Sequence, residues 1–289
     1  MPVERTLSFP GPASPGLTLA PQRRGPGDPC YQLDPDRAIW RTSLQNSGPV
    51  TARIRRTAPN TVTCQAWGDG ADEFVEALPA LLGLDDDAGD FTPHHPVIEA
   101  AHRRVPHLRL GRTGRVLEAL VPAVLEQRVP GADSFRSWRL LVTRFGGPAP
   151  GPAPARMRVP PSADVWRRIP SWEFHRANVD PGRARTVVLA AGRADALERL
   201  VSRPAEAART ALMSLPGVGV WTAAEVAQRP DRHARRTHVD EEVGDALALG
   251  RVRVRARQAD RELAQVRPRG PDLLAVEHPL VAVAHRTGR

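Results

Sequence analysis

Residues 215–229 read LPGVGVWTAAEVAQR, and they decide the interpretation of the chain. A Pro-Gly-Val-Gly turn lies between two alanine-rich segments, 204–214 and 221–229, which predicts two short helices joined by a tight turn. Glycines at 217 and 219 allow unusual backbone angles and leave no side chain between the turn and a ligand. The unpaired amides at the start of the second helix suit a phosphate group. A plain helix–helix connection with a glycine stop is the alternative.

The composition suits a polyanionic partner. The 289 residues carry 41 basic and 32 acidic side chains, a net charge of +9. Every basic residue is arginine, and arginine binds phosphate oxygens through two parallel hydrogen bonds. A GC-rich genome would account for the absence of lysine. Without a lysine amine no Schiff base can form on one, so lyase chemistry through lysine is excluded.

Cysteine usage and hydropathy exclude several further classes. Cys30 and Cys64 are the two cysteines, too few for a thiolate zinc site or an iron–sulfur cluster. Prolines interrupt the first twenty residues, unlike a signal peptide, and no apolar run approaches the roughly 18 residues of a membrane span. We therefore expect a soluble cytoplasmic protein without a membrane partner.

Residues 1–90 are predicted to be rich in β-strands. Partial alternation at 38–44, 50–55 and 61–67 indicates strands, with Val62, Cys64 and Ala66 on one face and a further strand at Leu17–Leu19. A helix follows, because apolar residues recur at helical spacing from Phe74 to Leu82.

Residues 91–229 are predicted to be helical. An apolar stripe from Val116 to Leu125 indicates a helix that Pro122 kinks or breaks. Asp133 is the expected N-cap of the next helix. Residues 146–154, GGPAPGPAP, are expected to form a stiff exposed loop, and short helices are expected around 163–168, 181–190 and 194–201.

Residues 230–289 differ from the rest, since they contain twelve arginines and none of the chain's thirteen aromatic residues. They are interpreted either as a flexible basic tail that binds nucleic acid or as a GC-rich message translated out of frame.

The hairpin, with Trp221-Thr222-Ala223 behind it, resembles the helix-hairpin-helix (HhH-GPD) DNA glycosylases, and most nearly the bacterial 3-methyladenine DNA glycosylase II group. Further similar segments occur upstream in the expected order, namely 119–128, 137–146, 169–172 and 175–185. The resemblance covers residues 36–229. It implies an α+β fold, in which an N-terminal antiparallel sheet domain precedes an all-α helix-hairpin-helix domain.

The activity implied by the resemblance is monofunctional excision of alkylated purines of the 3-methyladenine type by base flipping, in base excision repair. The partner would be double-stranded DNA with damaged bases, bound by a monomer that associates with the nucleoid. No catalytic cofactor is expected. A DNA-binding protein with the hairpin but no catalysis is the alternative, while the missing cysteine cluster and the absence of lysine disfavour an iron–sulfur glycosylase/lyase.

The resemblance also implies roles for individual residues. The DNA-binding set comprises Gly217, Val218 and Gly219 in the turn, Thr222 behind it, Gln127 in the gap left by the flipped base, and Arg128 where relatives often have an apolar wedge. A pocket for a cationic base would contain Trp221 and, as a weaker candidate, Trp172, with core packing as the alternative for both. A monovalent cation would be held by the main-chain oxygens of Met213, Leu215 and Val218.

The catalytic carboxylate is harder to place. In the family that the chain resembles, a catalytic Asp follows the hairpin by about two dozen residues. Counting that distance from Gly217 reaches Glu241 beside Asp240, whereas alignment on residues 238–244 puts Arg236 at the position of the Asp. Asp240 is the candidate, with Glu241 second. The alternative is that both lie on a solvated acidic face.

Overall fold

The computed structural model describes residues 1–86 and 95–227. The strands are β1 Val3–Ser8, β2 Tyr31–Leu33, β3 Ile39–Leu44, β4 Pro49–Ala58, β5 Thr61–Trp67, β6 Gly147–Pro148 and β7 Arg158–Val159. The helices are α1 Pro15–Leu19, α2 Ala71–Leu81, α3 Pro96–Arg104, α4 Val116–Leu125, α5 Gly131–Phe145, α6 Ala163–Arg168, α7 Ser171–Arg176, α8 Pro181–Ala191, α9 Ala194–Glu198, α10 Ala205–Met213 and α11 Val220–Ala227. This is the predicted α+β class. None of these helices is long and apolar enough to cross a membrane.

The first five strands form an antiparallel sheet in the order β1-β5-β4-β3-β2. Val62, Cys64 and Ala66 of β5 are fully buried on one face, as their alternation predicts. Helix α2 packs on this face through an apolar stripe that begins at Phe74. The sheet and α2 together form the first hydrophobic core.

The N-terminal region differs from the prediction at Leu17–Leu19 and at strands β1 and β2, neither of which was predicted. Leu17–Leu19 belongs to helix α1 instead of a strand, because Pro15 occupies the first helical turn, where its fixed φ favours helix. Strand β1 was not predicted. It pairs with β5 at the edge of the sheet, and its only buried residue is Leu7, so its sequence lacks an apolar face.

The second core surrounds α4. Eight of its ten residues are buried, and α5, α8, α9 and α11 all contact it. A helix enclosed by neighbours is apolar on every side, which explains why the Val116–Leu125 stripe is so broad. Pro122 is accommodated within the helix and does not break it.

In the following segment one prediction is wrong and another holds only in part. Helix α5 begins at Gly131, so Asp133 lies in its first turn, and the N-cap residue is Pro130. Residues 146–154 are not simply an exposed loop. β6 pairs there with β7, and Gly151 lies so close to Trp67 that a Cβ on it would be 2.4 Å from the indole.

Buried polar side chains connect the two cores. Glu118 of α4 accepts hydrogen bonds from Arg41 and Ser43 of β3. Asp28 accepts the indole N–H of Trp138 at 2.9 Å and the Arg24 amide at 2.7 Å, and burial raises the pKa of this carboxyl. The Glu118 contacts hold α4 against the sheet, and the Asp28 contact holds α5 against the segment that precedes β2.

Candidate nucleic-acid interface

The predicted helical hairpin is present. Helix α10 ends at Met213 and α11 begins at Val220, with a compact turn between them. The Val218 amide donates to the Leu215 carbonyl oxygen at 3.0 Å, and both side chains point into the core. The turn is thus anchored by Leu215 and Val218, and its outer surface is left to Pro216 and the two glycines.

The two glycines of the turn have different roles. Gly217 has a φ of +87°, in the left-handed region, and a Cβ on it would lie 2.1 Å from Thr186 Oγ1. Gly219 lies outside that region, and a Cβ on it would have no neighbour within 4 Å. The expectation of unusual backbone angles is therefore confirmed for Gly217 and wrong for Gly219. At Gly219 the absence of a side chain only leaves the main chain accessible to solvent.

Among the main-chain amides of the hairpin, that of Val218 is used within the turn, whereas those at the start of α11 are the ones that the sequence suggested for an anion. The Val218 N–H bonds within the turn, so it points away from solvent. The N–H groups in the first turn of any α-helix have no carbonyl partner within that helix, and in α11 these groups begin with that of Val220. Val220 is 66% exposed and follows the exposed Gly219. The start of α11 is therefore the part of the hairpin that could hold an anion.

Gln127, which follows the end of α4, is bound to the hairpin. Its Nε2 donates to the Gly217 carbonyl oxygen at 2.9 Å and to Thr222 Oγ1 at 2.8 Å. Thr222 is 2% exposed, so its side chain faces α4 and not the solvent. The sequence places Gln127 and Thr222 on one surface, but their mutual hydrogen bond is visible only in the folded chain.

Helix α8 supplies two neighbours of the hairpin and of α4 that the sequence did not single out. The Thr186 hydroxyl lies 3.2 Å from the Pro216 carbonyl oxygen and 3.1 Å from that of Gly182 in its own helix, so its one proton is shared between two acceptors. Arg183 Nη1 donates to the Leu125 carbonyl oxygen at 2.7 Å. Both side chains are buried. Arg183 and Thr186 are three residues apart and therefore lie on one face of α8, and this spacing is the one feature of the sequence that could have indicated their shared role.

Asp180 caps the start of α8 and orients Arg183. Its Oδ1 accepts the amides of Gly182 at 2.8 Å and Arg183 at 3.1 Å, while Oδ2 pairs with the Arg183 guanidinium. The hydrogen bond from Arg183 lowers the pKa of the Asp180 carboxyl. Asp180 therefore holds the arginine that reaches the end of α4.

The remaining predicted contact residues lie on the surface. Arg128 is exposed and has a φ of +56°, so the chain turns sharply directly after Gln127. Trp221 is 40% exposed and Trp172 is 62% exposed. Core packing, the alternative for both tryptophans, is excluded by this exposure.

The three carbonyls expected to bind a cation flank the turn. Leu215 and Val218 are linked by the turn hydrogen bond, and the Leu215 oxygen already accepts that amide. Met213 is the last residue of α10. Asp240, Glu241 and the 230–289 tail lie outside the described residues.

Two of three comparisons with known proteins found nothing, since no family model and no curated protein matches the chain. Solved structures do match. A 3-methyladenine DNA-glycosylase from Archaeoglobus fulgidus is similar with a TM-score of 0.65 and 16% identity, covering 77% of this chain and 78% of that one.

Two further matches were solved with DNA. An 8-oxoguanine glycosylase/lyase from Clostridium acetobutylicum, in complex with double-stranded DNA containing cytosine opposite 8-oxoG, has a TM-score of 0.60 and 12% identity over 78% of this chain and 77% of that one. MBOgg1, in complex with a low-affinity DNA ligand, has a TM-score of 0.59 and 16% identity over 77% and 75% of the two chains. The chain therefore has the same fold as these DNA glycosylases.

Proposed function

We propose that the protein is a monofunctional DNA N-glycosylase that removes alkylated purines of the 3-methyladenine type in base excision repair. The observation that carries the proposal is the exposed α10–α11 turn. It presents the start of α11 to solvent and is hydrogen-bonded to Gln127, directly before the exposed Arg128. The fold shared with solved DNA glycosylases supports this assignment.

The hairpin would hold the DNA backbone. Amides at Gly219 and the start of α11 suit a phosphate, because they are exposed and carry the positive end of the helix dipole. Arg128 would approach the same duplex from the end of α4. Such contacts bind any sequence, so the lesion has to be recognised elsewhere.

The base pocket would contain Trp221, and the site would favour a cationic base. An alkylated purine carries positive charge and is attracted to the electron-rich face of an indole. The same charge makes the base a good leaving group, so one carboxylate can suffice to stabilise the cationic sugar and to assist water. Trp172 is the second candidate for this pocket.

The carboxylate would be Asp240, with Glu241 as the alternative. Lysine is absent from the chain, which supports hydrolysis without a lyase step through that residue. A monovalent cation would be held by the main-chain oxygens of Met213, Leu215 and Val218, and it would add positive charge next to a bound phosphate. We further propose that the protein acts as a monomer on nucleoid DNA in the cytoplasm.

A DNA-binding protein without catalysis is the second candidate. It is favoured by the sequence after Arg229, where two alignments of the expected carboxylate disagree and one places Arg236 there. The nucleotide sequence offers a direct check. If a change of frame after codon 229 restores an aromatic segment, residues 230–289 are an artefact of translation.

Release of free base from a methylated duplex tests the proposal. The full chain is incubated with dimethyl-sulfate-treated DNA, and 3-methyladenine is measured by chromatography, with an 8-oxoguanine duplex as a second substrate. We expect release from the first substrate only, and loss of release in Asp240→Asn. Release that persists in both Asp240→Asn and Glu241→Gln would show that the carboxylate is misassigned. Duplex binding without release from either substrate would favour the second candidate.

A further inference from the structure

Three elements around the candidate interface are joined pairwise by side-chain hydrogen bonds. Arg183 and Thr186, both on α8, bind the end of α4 and the hairpin turn respectively. Gln127 joins α4 to the hairpin and closes the triangle. In each case a side-chain donor reaches a main-chain carbonyl of another element. A shift of any one element would therefore disturb its hydrogen bonds to the other two, the weakest side being Thr186, whose proton is shared with Gly182 of its own helix.

Gln127 uses its whole donor capacity in this triangle. A primary amide has two N–H groups on its nitrogen, and the nitrogen of Gln127 has two acceptors within 2.9 Å. One acceptor is a hairpin carbonyl and the other is the buried hydroxyl of Thr222. Entry of this side chain into a duplex would break both bonds and leave the Thr222 hydroxyl without this donor.

We infer that Gln127 is a positioning residue that fixes the hairpin relative to Arg128, and that it does not enter the DNA. The inference rests on the proposed function, because it assigns the residue a role in holding DNA. Phosphate binding by the start of α11 and contact by Arg128 require a fixed separation between the two. Gln127 precedes Arg128 directly and bonds to Gly217, so it connects the two contact regions through one peptide bond and one hydrogen bond.

The two roles of Gln127 predict different behaviour. A residue that fills the gap of a flipped base contributes only when a gap exists, so its removal weakens binding to DNA with an abasic site. A positioning residue acts on the hairpin itself, so its removal weakens binding to undamaged duplex as well. If Gln127 is a positioning residue, the loss of affinity on its removal also depends on whether Thr222 is present as its acceptor. A residue that enters the DNA gap would show no such dependence.

The experiment is a double-variant cycle in the full chain with Gln127→Ala and Thr222→Val. Affinity is measured by fluorescence anisotropy for an undamaged duplex and for the same duplex with a tetrahydrofuran abasic analogue. We expect Thr222→Val, which loses the one hydrogen bond from Gln127, to bind both duplexes about fivefold more weakly, and Gln127→Ala, which also loses the bond to Gly217, to bind them more weakly still. The double variant should be no more than about twofold weaker than Gln127→Ala, since Gln127→Ala already removes the Thr222 contact. Thr222→Ser keeps the acceptor and should bind as the wild type does.

The inference is wrong if Thr222→Val binds as the wild type does while Gln127→Ala loses affinity for the abasic duplex alone. Fully additive effects on the undamaged duplex would also overturn it, because they show no coupling. Thermal unfolding by circular dichroism establishes that each variant is folded before its affinity is compared.

A measurement without DNA separates this inference from the proposed function. Amide hydrogen exchange over residues 216–223 should be faster in Gln127→Ala, and similarly faster in Thr222→Val, while the amides of the β-sheet are unaffected. Unchanged exchange in the hairpin overturns the positioning role. If the wild type binds no duplex but the exchange result holds, the proposed function fails and the positioning role stands.

Discussion

Thr186 and Gly217 are packed so closely that no side chain fits at position 217, where a Cβ would lie 2.1 Å from the threonine Oγ1. The left-handed φ of Gly217 disfavours other residues independently. The Thr186 hydroxyl also lies 3.2 Å from the carbonyl oxygen of the preceding proline, and it shares its proton between this oxygen and that of Gly182, so α8 packs against the turn from behind. The glycine is therefore required for packing against α8, while its outer side remains free for a ligand.

Gly217→Ala is expected to destabilise the hairpin, and Gly219→Ala is its matched control. The first substitution places an L-residue at positive φ, which costs about 1–2 kcal/mol, and adds the clash with Thr186. At Gly219 the backbone lies outside the left-handed region and a Cβ would meet no neighbour, so Gly219→Ala should lower the free energy of unfolding by no more than about 0.5 kcal/mol. Urea unfolding measures both. Equal effects of the two substitutions would contradict the different roles assigned to the glycines.

Asp180→Asn is expected to lower stability at neutral pH but not in acid. The folded-state pKa of Asp180 is lowered by Arg183, so its contribution is present above the unfolded pKa of about 3.9 and is lost as the pH falls through the folded value. The wild type and Asp180→Asn should therefore converge in free energy of unfolding below that range. Asp180→Ala also loses the cap and should cost about 1 kcal/mol at every pH. A difference between wild type and Asp180→Asn that persists unchanged into acid would refute the linkage.

Glu118→Ala is expected to loosen the connection between the sheet and α4. The Arg41 side chain is only 5% exposed, and removal of its carboxylate partner leaves a buried charge, at a cost of about 3 kcal/mol. Glu118→Gln keeps one acceptor oxygen for Arg41 and places an NH2 group, which can only donate, beside the Ser43 hydroxyl, so it should cost less than Glu118→Ala. Chemical denaturation of the three proteins gives the comparison. A loss in Glu118→Ala no larger than that of an exposed ion pair such as Arg103–Glu99 would show that the link is unimportant.

Arg128→Ala is expected to reduce the salt dependence of duplex binding. Each phosphate contact releases counterions, so loss of one contact should lower the slope of log K against log salt by about one. Arg103 is an exposed arginine of α3 paired with Glu99, and Arg103→Ala provides a control away from the hairpin. Affinities measured over a range of NaCl concentrations test this. An unchanged slope in Arg128→Ala would place Arg128 outside the DNA contact.

Trp221→Ala is expected to lower excision of a cationic base with little effect on folding. The indole is 40% exposed, so its removal should cost well under the value of a core tryptophan. Loss of a cation–π contact of about 1–2 kcal/mol corresponds to roughly a five- to thirtyfold lower kcat/KM on methylated DNA. Trp221→Phe should retain part of the activity. If Trp172→Ala lowers kcat/KM as much as Trp221→Ala does, both tryptophans belong to the base pocket. If Trp221→Ala leaves kcat/KM unchanged, Trp221 is not part of the pocket.

Local patterns in the sequence were sufficient for most of the elements. Alternation at 61–67 predicts β5 and its buried face, and the glycine-bearing turn predicts the boundary between α10 and α11. Leu17–Leu19 was misassigned although Pro15 is itself a local helix signal, but other errors occurred where packing overrides a local pattern. Strand β1 is held by pairing with β5 although only Leu7 is buried, and Gly151 packs on Trp67 within a segment whose composition is typical of a free loop.

The sequence by itself determined the elements, the positions of the turn glycines and the basic character of the surface, because these depend on residues adjacent in the chain. Only the tertiary structure decided that Gln127, ninety residues from Gly217, donates to the turn, and that Arg183 and Thr186 hold α4 and the hairpin. It also decided that Val218 directs its amide inward while the start of α11 stays exposed. A hydrogen bond between distant segments depends on how the helices pack, and no local pattern encodes that distance.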